Sequence, residues 1–218
     1  MSQEFKIRVL SSLILIPLSF FFIIKGSFFF NFFLLICFLI TSYEWHAMSK
    51  NKNYNIIGFL FLIFSFYSAY NIRINFENNS LLIFLFVILT CISTDIGGYI
   101  FGNIFKGPKL TKISPKKTFS GMIGGYFLSV IIIYFYLKYS KLIGEHSYEI
   151  TIKIFFVVLL ISTISQIGDI IISFFKRLSK IKDTGKIIPG HGGILDRIDG
   201  MLFAIPFSNI FFSFNIII

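Results

Sequence analysis

Charged residues are scarce in this chain: Asp, Glu, Lys and Arg make up 14% of its 218 residues. An ordinary soluble domain carries about 25%, so a free-standing soluble fold is excluded. Cysteine is rarer still. Cys37 and Cys91 are the only two, each inside an apolar run, which excludes a disulfide framework and a thiolate metal site and leaves them as small core residues. No repeat of fixed period runs through the chain, so solenoid and propeller architectures drop out. No stretch is polar and long enough to form a separate soluble domain, and residues 1–218 are expected to fold as a single membrane domain.

What is abundant is apolar. Hydrophobic residues reach 56%, with 31 Phe, and the mean hydropathy is +0.83. These values describe a polytopic membrane protein, an all-α bundle of transmembrane helices. The net charge of +10 is not a sign of nucleic-acid binding here, because basic residues gather in cytoplasmic loops and meet anionic lipid headgroups.

Apolar segments near 9–24, 28–43, 55–72, 80–101, 121–140, 152–175 and 200–218 predict seven helices joined by loops bearing Lys, Asn, Gly or Pro. A single helix over 9–43 would be about 52 Å long, too long for a hydrocarbon core of about 30 Å. A break at Lys25-Gly26-Ser27 is therefore expected. Lys6 and Arg8 before the first segment resemble a signal peptide, but a Phe-rich sequence follows in place of a small-residue cleavage site, so a retained anchor is expected. With this layout fifteen Lys and Arg fall on one side and five on the other. That bias puts the N-terminus and the two basic loops in the cytoplasm.

Polar residues inside the apolar runs mark the candidate sites. Asp95 lies in the last part of the fourth segment, in or near the hydrocarbon, where a carboxylate costs about 2.5–3.5 kcal/mol on insertion scales. Cys91, Thr94, Asp95, Gly98 and Gly102 follow helical spacing and suggest an acid pointing into the bundle, as an interhelical hydrogen bond or as a substrate or ion site. Ser114-Pro115-Lys116-Lys117-Thr118 sets two ammonium groups and two hydroxyls before a glycine-rich helix start. It reads as a cytoplasmic orientation signal or, as the chemistry favours, a phosphate site. Ser162, Gln166, Asp169, Ser173 and Lys176 form a polar stripe on one helix face, climbing about 21 Å. A core polar network would account for it, but an acid that deep with bases above it looks more like a ligand or ion path.

Beyond Lys176-Arg177, the run through Lys180, Lys182, Asp183 and Lys186 leads to Pro189-Gly190-His191-Gly192-Gly193, a sharply bent backbone able to approach an anion. Asp196-Arg197-Ile198-Asp199 then opens the last helix. Asp196 and Asp199 offer hard oxygen ligands suited to Mg²⁺ bound with phosphates, with a helix cap as the alternative for Asp199. His191 alone reads more readily as a structural histidine, since no second histidine stands near enough for zinc. Trp45, beside Glu44 and His46, reads as part of an interfacial aromatic belt.

From Ser173 to Asp199 the chain carries S-x-x-K-R-x-x-x-x-K-D-x-x-x-x-x-P-G-H-G-G-x-x-D-R-x-D, which resembles the signature of the phosphatidate cytidylyltransferases, or CDP-diacylglycerol synthases. Asp95 with Tyr99, the Ser114–Thr118 run, Gly168-Asp169, Glu44-Trp45, and Arg8 with Ser11 and Pro17 resemble further family elements. The resemblance implies an inner-membrane enzyme that transfers CMP from CTP to phosphatidate, needs Mg²⁺ with K⁺ as a second ion, and forms a homodimer. By similarity Asp169 and Asp196 would hold the metal centre, with Asp199 a further candidate ligand. Lys116 and Lys117 would meet phosphates. Lys176, Arg177, Lys182, Asp183, His191 and Arg197 of the signature are the remaining catalytic candidates, and Asp95, Ser114, Thr118 and Ser173 the substrate-binding ones. The chain departs from the family pattern at Ser120, Ile172 and Gly200, and it is shorter than most members. Other readings are a cytidylyltransferase for another lipid phosphate and an ion-coupled transporter. The run D-G-x-x-A-R of the CDP-alcohol phosphotransferases is missing.

Overall fold

The computed structural model describes residues 3–75, 80–140, 151–190 and 192–213. Seven helices occur among them: α1 (Gln3–Lys25), α2 (Ser27–Ser49), α3 (Asn55–Asn75), α4 (Ser80–Phe105), α5 (Phe119–Tyr139), α6 (Ile152–Leu178) and α7 (Leu195–Ser213). Two isolated bridges, Lys109 with Thr118 and Ile188 with Gly192, are the only β pairing among the described residues. Five helices, α2 to α6, are long and apolar enough to cross a membrane, so the chain is a multi-pass membrane protein with the all-helical architecture its composition predicts. The apolar part of α1, Val9–Lys25, is shorter.

The break expected after Lys25 is present. Gly26 takes φ 63° and Ser27 φ 46°, a left-handed corner that glycine enters without a steric penalty. The Phe30 amide then donates to the Gly26 carbonyl at 3.2 Å and starts α2.

The chain divides into two compact units, Met1–Tyr70 with Phe175–Ile198, and Asn71–Phe174 with Asp199–Ile218. In the first, Trp45 is 3% exposed. Its indole donates from Nε1 to the Asn55 carbonyl at 3.0 Å and packs edge-on against Phe175 and Tyr54. The interfacial-belt reading of Trp45 is thus corrected: its polar tip is satisfied inside the unit, leaving the ring free to serve as core.

In the second unit, α4 and α5 meet through glycine. A Cβ on Gly121 would lie 2.7 Å from the Gly98 carbonyl oxygen, and one on Gly125 would lie 2.9 Å from that of Thr94, so bare backbone is what lets these helices approach. Hydroxyls along α4 are turned back on their own helix, as with Thr90 to the Phe86 carbonyl and Thr94 to the Thr90 carbonyl, both at 2.7 Å. Polar side chains in an apolar surrounding are satisfied this way.

Candidate active site

Within the Asn71–Phe174 unit, the basic loop and the α6 stripe come together. The loop folds on itself: the Leu110 amide donates to the Lys117 carbonyl at 2.8 Å, the Phe119 amide to the Pro108 carbonyl at 3.1 Å, and the Lys117 amide to the Ser114 carbonyl at 3.0 Å. Ser114 also donates its own amide to Thr111 Oγ1. Thr118 is the N-cap of α5, its Oγ1 accepting the Gly121 amide at 3.1 Å, which is why Thr sits where the loop becomes helix. Ser120 donates to the Lys106 carbonyl.

So braced, the loop delivers Lys117 to Asp169: Nζ lies 2.5 Å from Oδ2, with the two side chains 23% and 28% exposed. Lys117 also donates to the Gln166 carbonyl at 3.2 Å, and Ser173 donates to Asp169 Oδ1 at 3.3 Å. Below this pair, Gln166 Nε2 reaches Ser162 Oγ at 3.4 Å, and Ser162 Oγ and Thr94 Oγ1 share a hydrogen bond at 2.8 Å. Four of the five stripe residues, Ser162, Gln166, Asp169 and Ser173, thus belong to a connected polar chain ending at a partly exposed ion pair, and Lys176 pairs elsewhere. Lys116 is exposed beside it.

Asp95 departs from expectation. Cys91 and Thr94 are buried, whereas Asp95 is exposed on α4, because one step along a helix turns the side chain by about 100° and the packed stripe is centred on Thr94. Asp199 is 8% exposed. It lies in the second turn of α7, where its Oδ1 accepts the adjacent Gly200 amide at 2.9 Å, so the helix-cap alternative for it is corrected.

The cap belongs to Glu44, which the sequence marks only beside Trp45 in a family element and with no role of its own. In the first unit Glu44, 1% exposed, accepts the Ile194 amide on Oε1 at 3.0 Å and the Leu195 amide on Oε2 at 2.8 Å. These are free amides at the head of α7, and a carboxylate there meets both the orphan donors and the positive end of the helix dipole. Asp196, one residue into α7, accepts Lys176 on Oδ1 at 2.8 Å. Its Oδ2 accepts the amides of Thr184 at 2.8 Å and Gly193 at 3.1 Å, and the Thr184 hydroxyl at 3.0 Å. Burial alone would push the Asp196 carboxyl up, but the hydrogen bonds from Lys176, Thr184 and Gly193, with the Lys176 charge, hold it below its ordinary value.

The loop between α6 and α7 turns through Gly190 at φ 75° and Gly192 at φ 88°, closed by the Ile188 amide donating to the Gly192 carbonyl at 3.0 Å. Ser11 of α1 donates to the Pro189 carbonyl at 3.2 Å. Gly193 has a second reason to be glycine: a Cβ there would stand 2.6 Å from Glu44 Oε1. Arg177, Lys182, Asp183 and Arg197 are exposed. His191 lies outside the described residues, as does the side chain of Arg8.

Within neither unit do three His, Cys, Asp or Glu side chains among the described residues gather as a ready metal cluster. The donor chemistry nevertheless fits a hard cation. Asp169 and Asp196 each hold an ammonium group at 2.5–2.8 Å, so both carboxylates are already matched to positive charge.

The sequence profile of the cytidylyltransferase family matches residues 55–215. A phosphatidate cytidylyltransferase of Rickettsia typhi is 33% identical over 226 residues, covering 98% of this chain and 93% of that protein. This chain belongs to the cytidylyltransferase family. Relatives of the same description in Haemophilus influenzae and Staphylococcus aureus are 34% and 35% identical, over 81% and 79% of this chain. The chain spans 64% and 65% of their lengths, under two thirds. The family match runs from the first residue of α3 to residue 215 and so includes both the lysine-rich loop and the glycine-rich loop.

Proposed function

We propose that this chain transfers CMP from CTP to phosphatidate, giving CDP-diacylglycerol and pyrophosphate. The observation that carries this reading is the similarity to the Rickettsia phosphatidate cytidylyltransferase along 98% of the chain. The pairing of a lysine-loop ammonium with the α6 carboxylate at 2.5 Å supports it.

In this reaction a phosphate oxygen of phosphatidate forms a bond to the α-phosphorus of CTP while the bond from that phosphorus to the oxygen bridging to the β-phosphorus breaks. Pyrophosphate leaves with that electron pair. The attacking phosphate is already anionic near neutral pH, so no strong general base is needed. The protein's task is to position anions and offset their charge. Lys116 and Lys117, held against the head of α5, suit the CTP phosphates, and Lys176, Arg177, Lys182 and Arg197 supply further positive charge. Ser114, Thr118 and Ser173 support that positioning, and Asp95 and Asp183 complete the polar set. His191 keeps the candidate role its signature position implies.

Asp169 and Asp196 would hold Mg²⁺, with K⁺ as a second ion and Asp199 a further candidate ligand. When bound, such an ion neutralises charge on the phosphates. The excess of basic residues in the loops following α2, α4 and α6 supports an inner-membrane protein whose chemistry faces the cytoplasm, and family resemblance supports a homodimer.

The test is pyrophosphate release by purified protein with CTP and Mg²⁺, comparing phosphatidate, a polyprenyl phosphate and no lipid, with ATP in place of CTP as control. Release requiring both CTP and phosphatidate supports the proposal. Release with the polyprenyl phosphate alone replaces the acceptor, and none with any lipid contradicts it.

A further inference from the structure

Glu44 lies on α2, far in sequence from the signature run, yet among the described residues its carboxylate is the most enclosed acid of the first unit, with 1% exposure. Its partners stand 140–151 residues away: the Thr184 hydroxyl at 3.2 Å and the amides of Ile194 and Leu195. Glycines flank it. A Cβ on Gly185 would come 2.6 Å from Glu44 Oε1, as would one on Gly193, so the loop wraps the carboxylate with bare backbone.

Thr184 makes this more than a cap. Its Oγ1 lies 3.2 Å from Glu44 Oε2 and 3.0 Å from Asp196 Oδ2, and a hydroxyl carries one proton. That proton serves one carboxylate at a time, so whatever draws on Asp196 Oδ2 alters what Glu44 receives. Second partners of metal-ligating carboxylates commonly set their orientation.

We infer that Glu44 is a positioning residue for nucleotidyl transfer, acting through the Thr184 hydroxyl to fix the orientation of Asp196. This inference rests on the proposed function. It joins the second helix of the chain to the signature loop, a link that no motif spells out.

Three variants test it. Thr184→Val keeps the side-chain shape and leaves both amides on Glu44 and both on Asp196, removing only the shared proton. Thr184→Ser restores the hydroxyl. In Glu44→Gln one amide N–H must turn against a backbone N–H, since both Glu44 oxygens accept such donors. The expected result is a kcat lowered about 10- to 100-fold in Thr184→Val and Glu44→Gln, with the KM for CTP little changed, and recovery in Thr184→Ser. The rise in Tm caused by Mg²⁺ alone should also shrink in Thr184→Val and persist in Thr184→Ser, which a role limited to holding the fold would not produce. If Glu44→Gln fails to fold, Thr184→Val decides. A Thr184→Val protein with wild-type kcat and wild-type Mg²⁺ response would overturn the inference. A wild-type protein without turnover would overturn the functional reading instead, and the Mg²⁺ response of Thr184→Val against wild type would still decide the coupling.

Discussion

The indole of Trp45 lies directly over the bare Cα of Gly58: a Cβ on Gly58 would overlap the ring at Cε2 and Cζ2. The ring cannot retreat easily, because Nε1 is tied to the Asn55 carbonyl and the opposite edges meet Tyr54 and Phe175. Gly58→Ala gains about 1 kcal/mol of helix propensity but overpacks a rigid contact, which costs about 1–3 kcal/mol or more. Net destabilisation is expected. Gly98→Ala provides the contrast, since its Cβ would meet the Gly121 carbonyl oxygen at an ordinary 3.7 Å and the propensity gain stands alone. Thermal unfolding in detergent should show a lower Tm for Gly58→Ala and an equal or higher one for Gly98→Ala.

The two lysine–aspartate pairs should behave differently when broken. Lys117 and Asp169 are 23% and 28% exposed, whereas Lys176 and Asp196 are 12% and 6% exposed. Screening leaves the first pair worth about 1 kcal/mol or less. Removing one partner of the second strands a mostly buried charge, at about 3 kcal/mol. Denaturant titration of Lys117→Met and Lys176→Met should therefore show a small loss in the first and a large one in the second.

Asp169→Asn separates chemistry from folding. The amide fits the same volume and keeps an oxygen for Ser173, so stability should change by about 1 kcal/mol or less. Its negative charge is lost, and turnover is expected to fall about 100-fold or more if the carboxylate helps hold the cation. Initial rates at saturating CTP, set beside the Tm, check this.

Acid should weaken the first unit. The Asp196 carboxyl is held below its ordinary value of 3.8, so the native state favours the deprotonated form. Its contribution to stability is complete above that ordinary value and is lost as pH falls through the lower, folded one. Unfolding followed from pH 6 down to about 2 should show a steeper acid decline in wild type than in Asp196→Asn.

Much of this arrangement is legible in the residues. Seven apolar runs became seven helices, and the left-handed corner at Gly26 stands where span length demanded a break. The stripe on α6 follows from spacing alone, since helical periodicity is local. Its meeting with Lys117 is not local, because nothing in the spacing says which loop lysine reaches Asp169. Trp45 reads as interfacial from its neighbours in the chain, but Asn55, Tyr54 and Phe175 supply the pocket that buries it. Glu44 has the signal that draws attention to Asp95, an acid at or near the end of an apolar run. The difference is that Glu44 has its amide donors about 150 residues on, whereas Asp95 is exposed on α4. Spacing along one helix distinguishes neither case.

The most direct test of the account follows the phosphorus atoms. Purified protein in phosphatidate-containing micelles with Mg²⁺ is given CTP labelled at either the α- or the γ-phosphorus. Label from the α-position should enter the lipid, and label from the γ-position should appear in pyrophosphate in equal molar amount. Gamma label in the lipid, or pyrophosphate formed without α-label entering the lipid, would contradict cytidylyl transfer by this chain.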